Sequence, residues 1–179
     1  MMFINGVQGC SSHGEMIVLK NGKDVFIRPI NSSDGDLITD LFEKISPKSI
    51  YKRFLRNLDA LPEELLHHLT HINYETDFAL VAIVEEEHKE SITAVSRYMY
   101  DPHENVTDIA LAVRDDWQNL GLGTLLLTRI ISIAKKHGIS HLESMMDPGN
   151  TIMEKILHGL GCEVNYSLRS GFYHVKIIL

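Results

Sequence analysis

Ten consecutive residues, Asp115-Asp116-Trp117-Gln118-Asn119-Leu120-Gly121-Leu122-Gly123-Thr124, carry the strongest chemical signal in this sequence. They join a run that reads as a strand, Val106–Arg114, to one that reads as a helix, Leu122–His137. A helix start presents backbone N–H groups without intrahelical partners and the positive end of the helix dipole. Gly121 and Gly123 let the backbone approach a ligand without Cβ contacts, and Gln118 can add side-chain donors. Together these features make an anion site suited to a pyrophosphate. No Lys or Arg lies within the loop, so the binding would rest on N–H groups and dipole. The same Gly-x-Gly spacing also serves a plain strand-to-helix turn, where glycine only permits tight packing. It is not a dinucleotide fingerprint, whose third glycine would fall at Leu126, nor a P-loop, which needs Gly-Lys-Ser or Gly-Lys-Thr.

The elements that must hold this loop in place can be read along the chain. Met16–Leu19 and Val25–Ile30 are apolar runs around Lys20-Asn21-Gly22-Lys23, which predicts a hairpin. Ser33 or Asp34 is expected to cap a helix reaching Ile45, and Ser46-Pro47 to end it. Further helices are expected over Lys48–Arg56 and from Leu61-Pro62-Glu63-Glu64 to Thr70. Phe78–Glu85, Ser91–Met99 and Val106–Arg114 read as strands, the last apolar on both faces as a central strand should be. After the Leu122–His137 helix come a strand over Ile139–Met146 and a helix from Asn150 to Leu160. Strands over Cys162–Leu168 and Phe172–Leu179 close the chain. This order predicts one mixed α/β domain over residues 16–179, preceded by a short flexible or docking segment, residues 1–15.

Composition sets outer limits. The chain has 179 residues, enough for one domain with a full core, and 44% apolar with 23% charged residues is an ordinary globular balance. No apolar run approaches the roughly 18 residues of a membrane helix, and Met1–Gly14 lacks the basic and apolar parts of a secretory signal. A net charge of -7 argues against a nucleic-acid backbone as partner and is compatible with a cationic amine. Cys10 and Cys162 form neither a disulfide framework nor a metal knuckle, which fits a reducing cytoplasm. His67 and His71 share a helix face at i and i+4, but no third metal ligand can be named.

The loop Gln118-Asn119-Leu120-Gly121-Leu122-Gly123 resembles the Gln/Arg-x-x-Gly-x-Gly/Ala signature of the GNAT superfamily of acyl-CoA N-acyltransferases. Asn150–Gly161 is similar to that family's late helix. Several stretches resemble the acetyltransferase domain of bacterial Pat-type protein lysine acetyltransferases. They are Val25-Phe26-Ile27-Arg28-Pro29-Ile30, Ser46–Phe54, Ala79-Leu80-Val81-Ala82 and Val113-Arg114-Asp115-Asp116-Trp117-Gln118. The resemblance spans about Met16 to Leu179. It implies a twisted mixed sheet, flanked by helices, that splays open beside the Val106–Arg114 strand, with acetyl-CoA lying in the gap. Leu111, Ala112 and Val113 would pair with the pantetheine arm like an added strand, and the Val113 N–H would polarise the thioester carbonyl. Gln118, Asn119, Leu120, Gly121, Leu122, Gly123 and Thr124 would cradle the pyrophosphate. Asn150 would contact the pantetheine or the loop beside it.

Two departures from the family concern catalysis. Lysine, with a reference pKa of ~10.4, must lose a proton before it attacks a thioester. Related enzymes place a Glu in this strand, and the matching stretch here, Thr107-Asp108-Ile109-Ala110, makes Asp108 the candidate base, one methylene shorter and suited to a bridging water. Asp108 could also merely end a turn in solvent. Many relatives carry a Tyr in the late helix that protonates the thiolate; the position here is Leu157. His158 points about 100° away from it on a helix, and Tyr166 or Tyr173 could serve instead. Cys162 reads as a small buried apolar residue. The expectation is therefore direct acetyl transfer to a primary amine, a protein lysine such as one on an acyl-CoA synthetase. A small amine acceptor, or acyl-CoA binding without catalysis, are the competing readings.

Overall fold

The computed structural model describes residues 14–101 and 103–179. The expectation of a flexible 1–15 segment, with Cys10 in it, therefore falls almost wholly outside the described residues. The strands are β1 (Glu15–Val18), β2 (Asp24–Pro29), β3 (Phe78–Glu86), β4 (Lys89–Asp101), β5 (Val106–Val113), β6 (His141–Met146), β7 (Glu163–Arg169) and β8 (Phe172–Ile178). The helices are α1 (Gly35–Lys44), α2 (Pro47–Phe54), α3 (Glu63–Thr70), α4 (Leu122–Lys136) and α5 (Thr151–His158). Each element forms where apolar periodicity predicts it, with ends shifted by a few residues.

The shifts have local causes. The predicted hairpin forms, but Gly22 alone has positive φ (+80°) while Leu19 N bonds to Lys23 O at 2.9 Å. The turn is thus a three-residue type with one left-handed glycine rather than a two-residue Asn-Gly turn. At the first helix Asp34 takes the N-cap position of α1, as expected, but makes no capping bond to it. Asn31 caps a short 3₁₀ turn over Ser32–Asp34, and the Asp34 carboxylate returns a bond to the Asn31 N–H at 2.9 Å, forming a capping box. Asp34 is 2% exposed and is held by Arg28 through two 2.7 Å bonds, so its charge is paired rather than stranded.

All eight strands form one sheet in the order β1-β2-β3-β4-β5-β6-β8-β7. Every neighbouring pair is antiparallel except β5 with β6. Phe78–Val84 of β3 is buried along its length, because helices cover both faces. One core lies on the α4 and α5 side, around Tyr98, Ile109, Leu126, Ile130, Leu142 and Val175. The other lies on the α1 and α3 side, around Ile38, Leu41, Val81 and Ile92. The β5–β6 pairing sets up the site: the two strands register at Asp108↔Glu143 alone. Towards their C-terminal ends they part, leaving a cavity lined by Ala110 and Leu111 on one side and Ser144, Met145 and Met146 on the other. This is the splayed mixed sheet that the resemblance implies.

Candidate active site

The loop after β5 turns sharply into an α4 start that has no capping side-chain bond among the described residues. Gly121 takes φ +86° and Asn119 φ +61°, a left-handed pair that folds the chain back onto the start of α4. The first helical bond runs from Leu125 N to Gly121 O at 3.0 Å, so the N–H groups of Leu122, Gly123 and Thr124 precede it. No side chain among the described residues caps this end. Thr124 and Asn119 are exposed, Gly121 is half-buried, and Leu122 and Gly123 are buried, so the loop opens to solvent at Asn119, Gly121 and Thr124. The two glycines have different jobs. A Cβ on Gly121 would meet nothing nearer than Lys20 Cε at 3.9 Å, so glycine is required there by φ. A Cβ on Gly123 would lie 3.1 Å from Leu111 Cδ2 and 3.4 Å from Ile156 Cδ1, so glycine there lets α4 press against β5 and α5.

Positive charge reaches this loop from elsewhere in the chain. Lys20 of the β1–β2 turn lies beside Gly121, and Lys23 stands 4.5 Å from the Trp117 ring. Lys52 and Arg53 of α2 line a cavity of about 110 Å³ together with Gln118, Asn119 and Gly123. The loop itself contains no cation, and sequence spacing gives no hint of these. Asp115 brings α2 in: its carboxylate accepts from Ser46 N, Ser46 Oγ and Ser49 Oγ, each at 2.8 Å. Gln118 Nε2 adds a 3.3 Å bond to Ser49 Oγ. Beside it Arg114, 6% exposed, forks onto Glu86 and Asp116 with four bonds of 2.6–2.8 Å, which hold both carboxyls below their usual range.

Along β5 the peptide groups alternate between β4 and the gap. Arg114 N bonds to Thr93 O at 2.8 Å and Ser96 Oγ bonds to Ala110 O at 3.2 Å, so the even-numbered residues face β4. Leu111 and Val113 therefore turn their N–H groups to the gap, where β6 gives them no partner. The peptide groups of Ala112 face β4, whereas those of Leu111 and Val113 face the gap. Val113 is not brought together with Asp108. Five residues of strand at roughly 3.3 Å each separate them by about 17 Å, whereas Leu111 stands about 10 Å from Asp108. Leu111 lines the same cavity as Asp108; Val113 lines the neighbouring one, and its carbonyl accepts from Gln118 Nε2 at 3.1 Å. The carbonyl bond tethers the loop, a role that sequence reading did not assign to Gln118.

Asp108 sits within β5, half-buried, on the wall of a cavity of about 340 Å³. Burial pushes its carboxyl up to about 6, while Arg53 and then Arg97 pull it back and Asp101 and Glu143 add to the rise. It is no solvent-exposed turn residue. The two cavities share Lys52, Arg53, Leu111, Asn150 and Met153, so they meet at the point where β5 leaves β6. Asn150, 8% exposed, caps α5 by accepting from Met153 N at 3.4 Å and borders both. Leu157 faces the larger cavity with no donor, and His158 is turned away, its Nδ1 2.9 Å from Glu154 O. Tyr166 and Tyr173 pack edge to face on each other and line neither cavity. Cys162 is half-buried against the α4-side core. His67 and His71 stack at 4.0 Å, and among the described residues no group of three or more His, Cys, Asp or Glu is arranged to hold a metal. No helix among them is long and apolar enough to cross a membrane.

Comparison with known proteins agrees with this geometry. Residues 24–163 match the acetyltransferase (GNAT) domain family. The chain is 29% identical over 143 residues to acetyltransferase PA5475 of Pseudomonas aeruginosa, covering 80% of this chain and 77% of that protein. Its fold superposes on the GNAT domain of S. lividans PAT with a TM-score of 0.83 at 24% identity, over 93% of this chain and 97% of that domain. It also superposes on YncA of Salmonella typhimurium, solved with its cofactor acetyl-CoA, with a TM-score of 0.65 at 18% identity, over 88% and 95% of the two chains. The Pat-type likeness read in the sequence thus extends to the fold. With the matched segment running from β2 to the start of β7, the chain belongs to the GNAT acetyltransferase family and is an acyl-CoA-dependent N-acetyltransferase.

Proposed function

We propose that the protein transfers an acetyl group from acetyl-CoA directly to a primary amine, a protein lysine side chain, while both substrates are bound. The observation that carries this reading is a single strand, β5, bearing both a raised carboxyl and a gap-facing N–H at the split in the sheet. The uncapped start of α4 with Asn119 to Thr124 is suited to the pyrophosphate, with Lys20 and Lys52 adding charge. The free edge at Leu111 and Val113 is suited to the amide-rich pantetheine arm.

Asp108 is assigned as the base. A carboxyl near 6 is ionised at neutral pH and is better matched to accepting a proton than one near 4. It takes one proton from the acceptor ammonium, directly or through a water, and the freed nitrogen attacks the thioester carbon. The negative charge gathering on the carbonyl oxygen is met by the Leu111 N–H, which replaces Val113 in that role on grounds of distance. As the carbon–sulfur bond breaks, the bonded nitrogen sheds its second proton and the departing thiolate takes one up through solvent; no protein acid is assigned, since Leu157 cannot donate and a thiol is a fair leaving group. The Pat-type likeness favours a protein acceptor over a small amine.

Thiol release from acetyl-CoA, measured with a panel of amines and lysine-bearing proteins, tests the reading. Acceptor-dependent release supports it. Tight CoA binding with no release on any acceptor would sink it in favour of a non-catalytic binder.

A further inference from the structure

The wall of the larger cavity carries four charged groups: Lys52, Arg53 and Arg56 from the α2 segment, and Asp108. A chain of net charge -7 has thus gathered three cations and one carboxylate where the amine must enter. Arg53 is half-buried and makes no hydrogen bond or ion pair among the described residues; its guanidinium lies 4.9 Å from the Phe54 ring. Arg97 of β4, 4% exposed, is in no ion pair among the described residues, with Asp77 and Asp108 acting on it only from farther off. Its terminal nitrogens reach Leu69 O at 3.3 Å and Met99 Sδ at 3.5 Å, and its Nε has no partner. The two arginines share a narrow apolar cleft with Phe54, Val95 and Ala110. Burial, and Arg97 beside it, push the Arg53 guanidinium down to about 10.

Two desolvated guanidinium groups lining one cleft, with Asp77 and Asp108 acting on them only from beyond ion-pair distance, are costly, and such charges are ordinarily paired or ligated. Asp108 does not meet the need. It lies beyond ion-pair distance of both, and in the reaction it becomes neutral on taking a proton. A pyrophosphate has its own cradle at the start of α4. From this arrangement we infer that the acceptor bears a carboxylate close to its amine, and that Arg53, backed by Arg97, binds it. The inference rests on the acetyl-transfer reading and names its substrate class. The carboxylate has two sources, the α-carboxylate of a free amino acid or an acidic side chain beside a lysine in a protein. Arg53 is thereby a specificity-determining residue rather than only a charge that tunes Asp108.

The test uses the full chain, acetyl-CoA and two matched acceptor pairs: free lysine against lysinamide, and an N-acetylated Glu-Lys-Glu amide against its Gln-Lys-Gln counterpart. The carboxylate member of one pair is expected to show a kcat/KM about 10- to 100-fold higher, the range of a charge-assisted bond, and that pair identifies the source. In Arg53→Gln the ratio within that pair falls to within about 3-fold of one, and Arg53→Lys, which keeps the charge, retains a clear preference. Simple tuning of Asp108 would slow both members alike and leave the ratio in place, which overturns the proposal. A ratio near one in both pairs with the unmodified protein overturns it as well. So does a shift in Arg53→Gln confined to the KM for acetyl-CoA. Absence of thiol release with every acceptor overturns the transfer reading itself, and this one with it.

Discussion

Replacing Asp108 with Asn should cut turnover sharply and stabilise the fold, and the two effects should depend on pH in different ways. Burial holds the carboxyl at about 6 against 3.8 in an unfolded chain. At ~1.4 kcal/mol per pH unit, an ionised Asp108 costs the folded state up to about 3 kcal/mol. The group is only half-buried, so solvent screening reduces this to roughly 1–2 kcal/mol. The sign follows from the direction of the shift. A raised carboxyl favours folding below 3.8, where both states are protonated, and loses that advantage as pH climbs through 6. Asn, neutral at every pH, is spared the loss. The variant should therefore melt roughly 3–6 °C above the parent at pH 8 and level with it near pH 3.5. Its turnover should fall about 10²- to 10⁴-fold with CoA affinity little changed, and the parent's kcat/KM should rise through pH 6 on the acid side. Thermal melts at the two pH values, thiol release and CoA titration check this. A melting difference that ignores pH, or a variant as active as the parent, refutes the reasoning.

Two further perturbations probe the scaffold. Gly121→Val forces a β-branched residue to φ +86° at the mouth of the cradle, so CoA affinity measured by titration should drop at least about tenfold, with about 1–2 kcal/mol of stability lost. Asp115→Asn leaves the chain folded but loosens three 2.8 Å bonds to Ser46 and Ser49, freeing the start of α2. Because α2 carries Arg53, the KM for acceptor should rise more than the KM for acetyl-CoA, and equal changes in both would contradict that linkage.

Much of this molecule is legible in its sequence, and the limits of that legibility are physical. The runs that became β3, β4, β5 and α4 are long and strongly periodic, so local pattern suffices to place them. The Gln118–Thr124 loop is readable because its chemistry is local: an N–H array needs only a strand, a turn and a helix start. What the sequence does not disclose is made by contacts between distant segments. Lys52 and Arg53 reach the loop because Asp115 pins Ser46, 69 positions away in the chain. Arg97 reads as an ordinary strand arginine until the fold buries it. That Leu111 and Val113 turn their N–H groups to an open gap depends on the β4 register and on where β6 leaves β5, which no local pattern reveals.

That solitary rung between β5 and β6 has a thermodynamic consequence. The sheet is two ladders sharing one step, and the peptide groups beyond it on Leu111 and Val113 have no partner of their own kind. A donor molecule whose arm bonds to them would complete the ladder and couple the β6-β8-β7 half mechanically to the rest. Amide protons at those two positions should then exchange quickly in the free protein and slowly in the bound one, so that the enzyme's rigidity is borrowed from its own co-substrate.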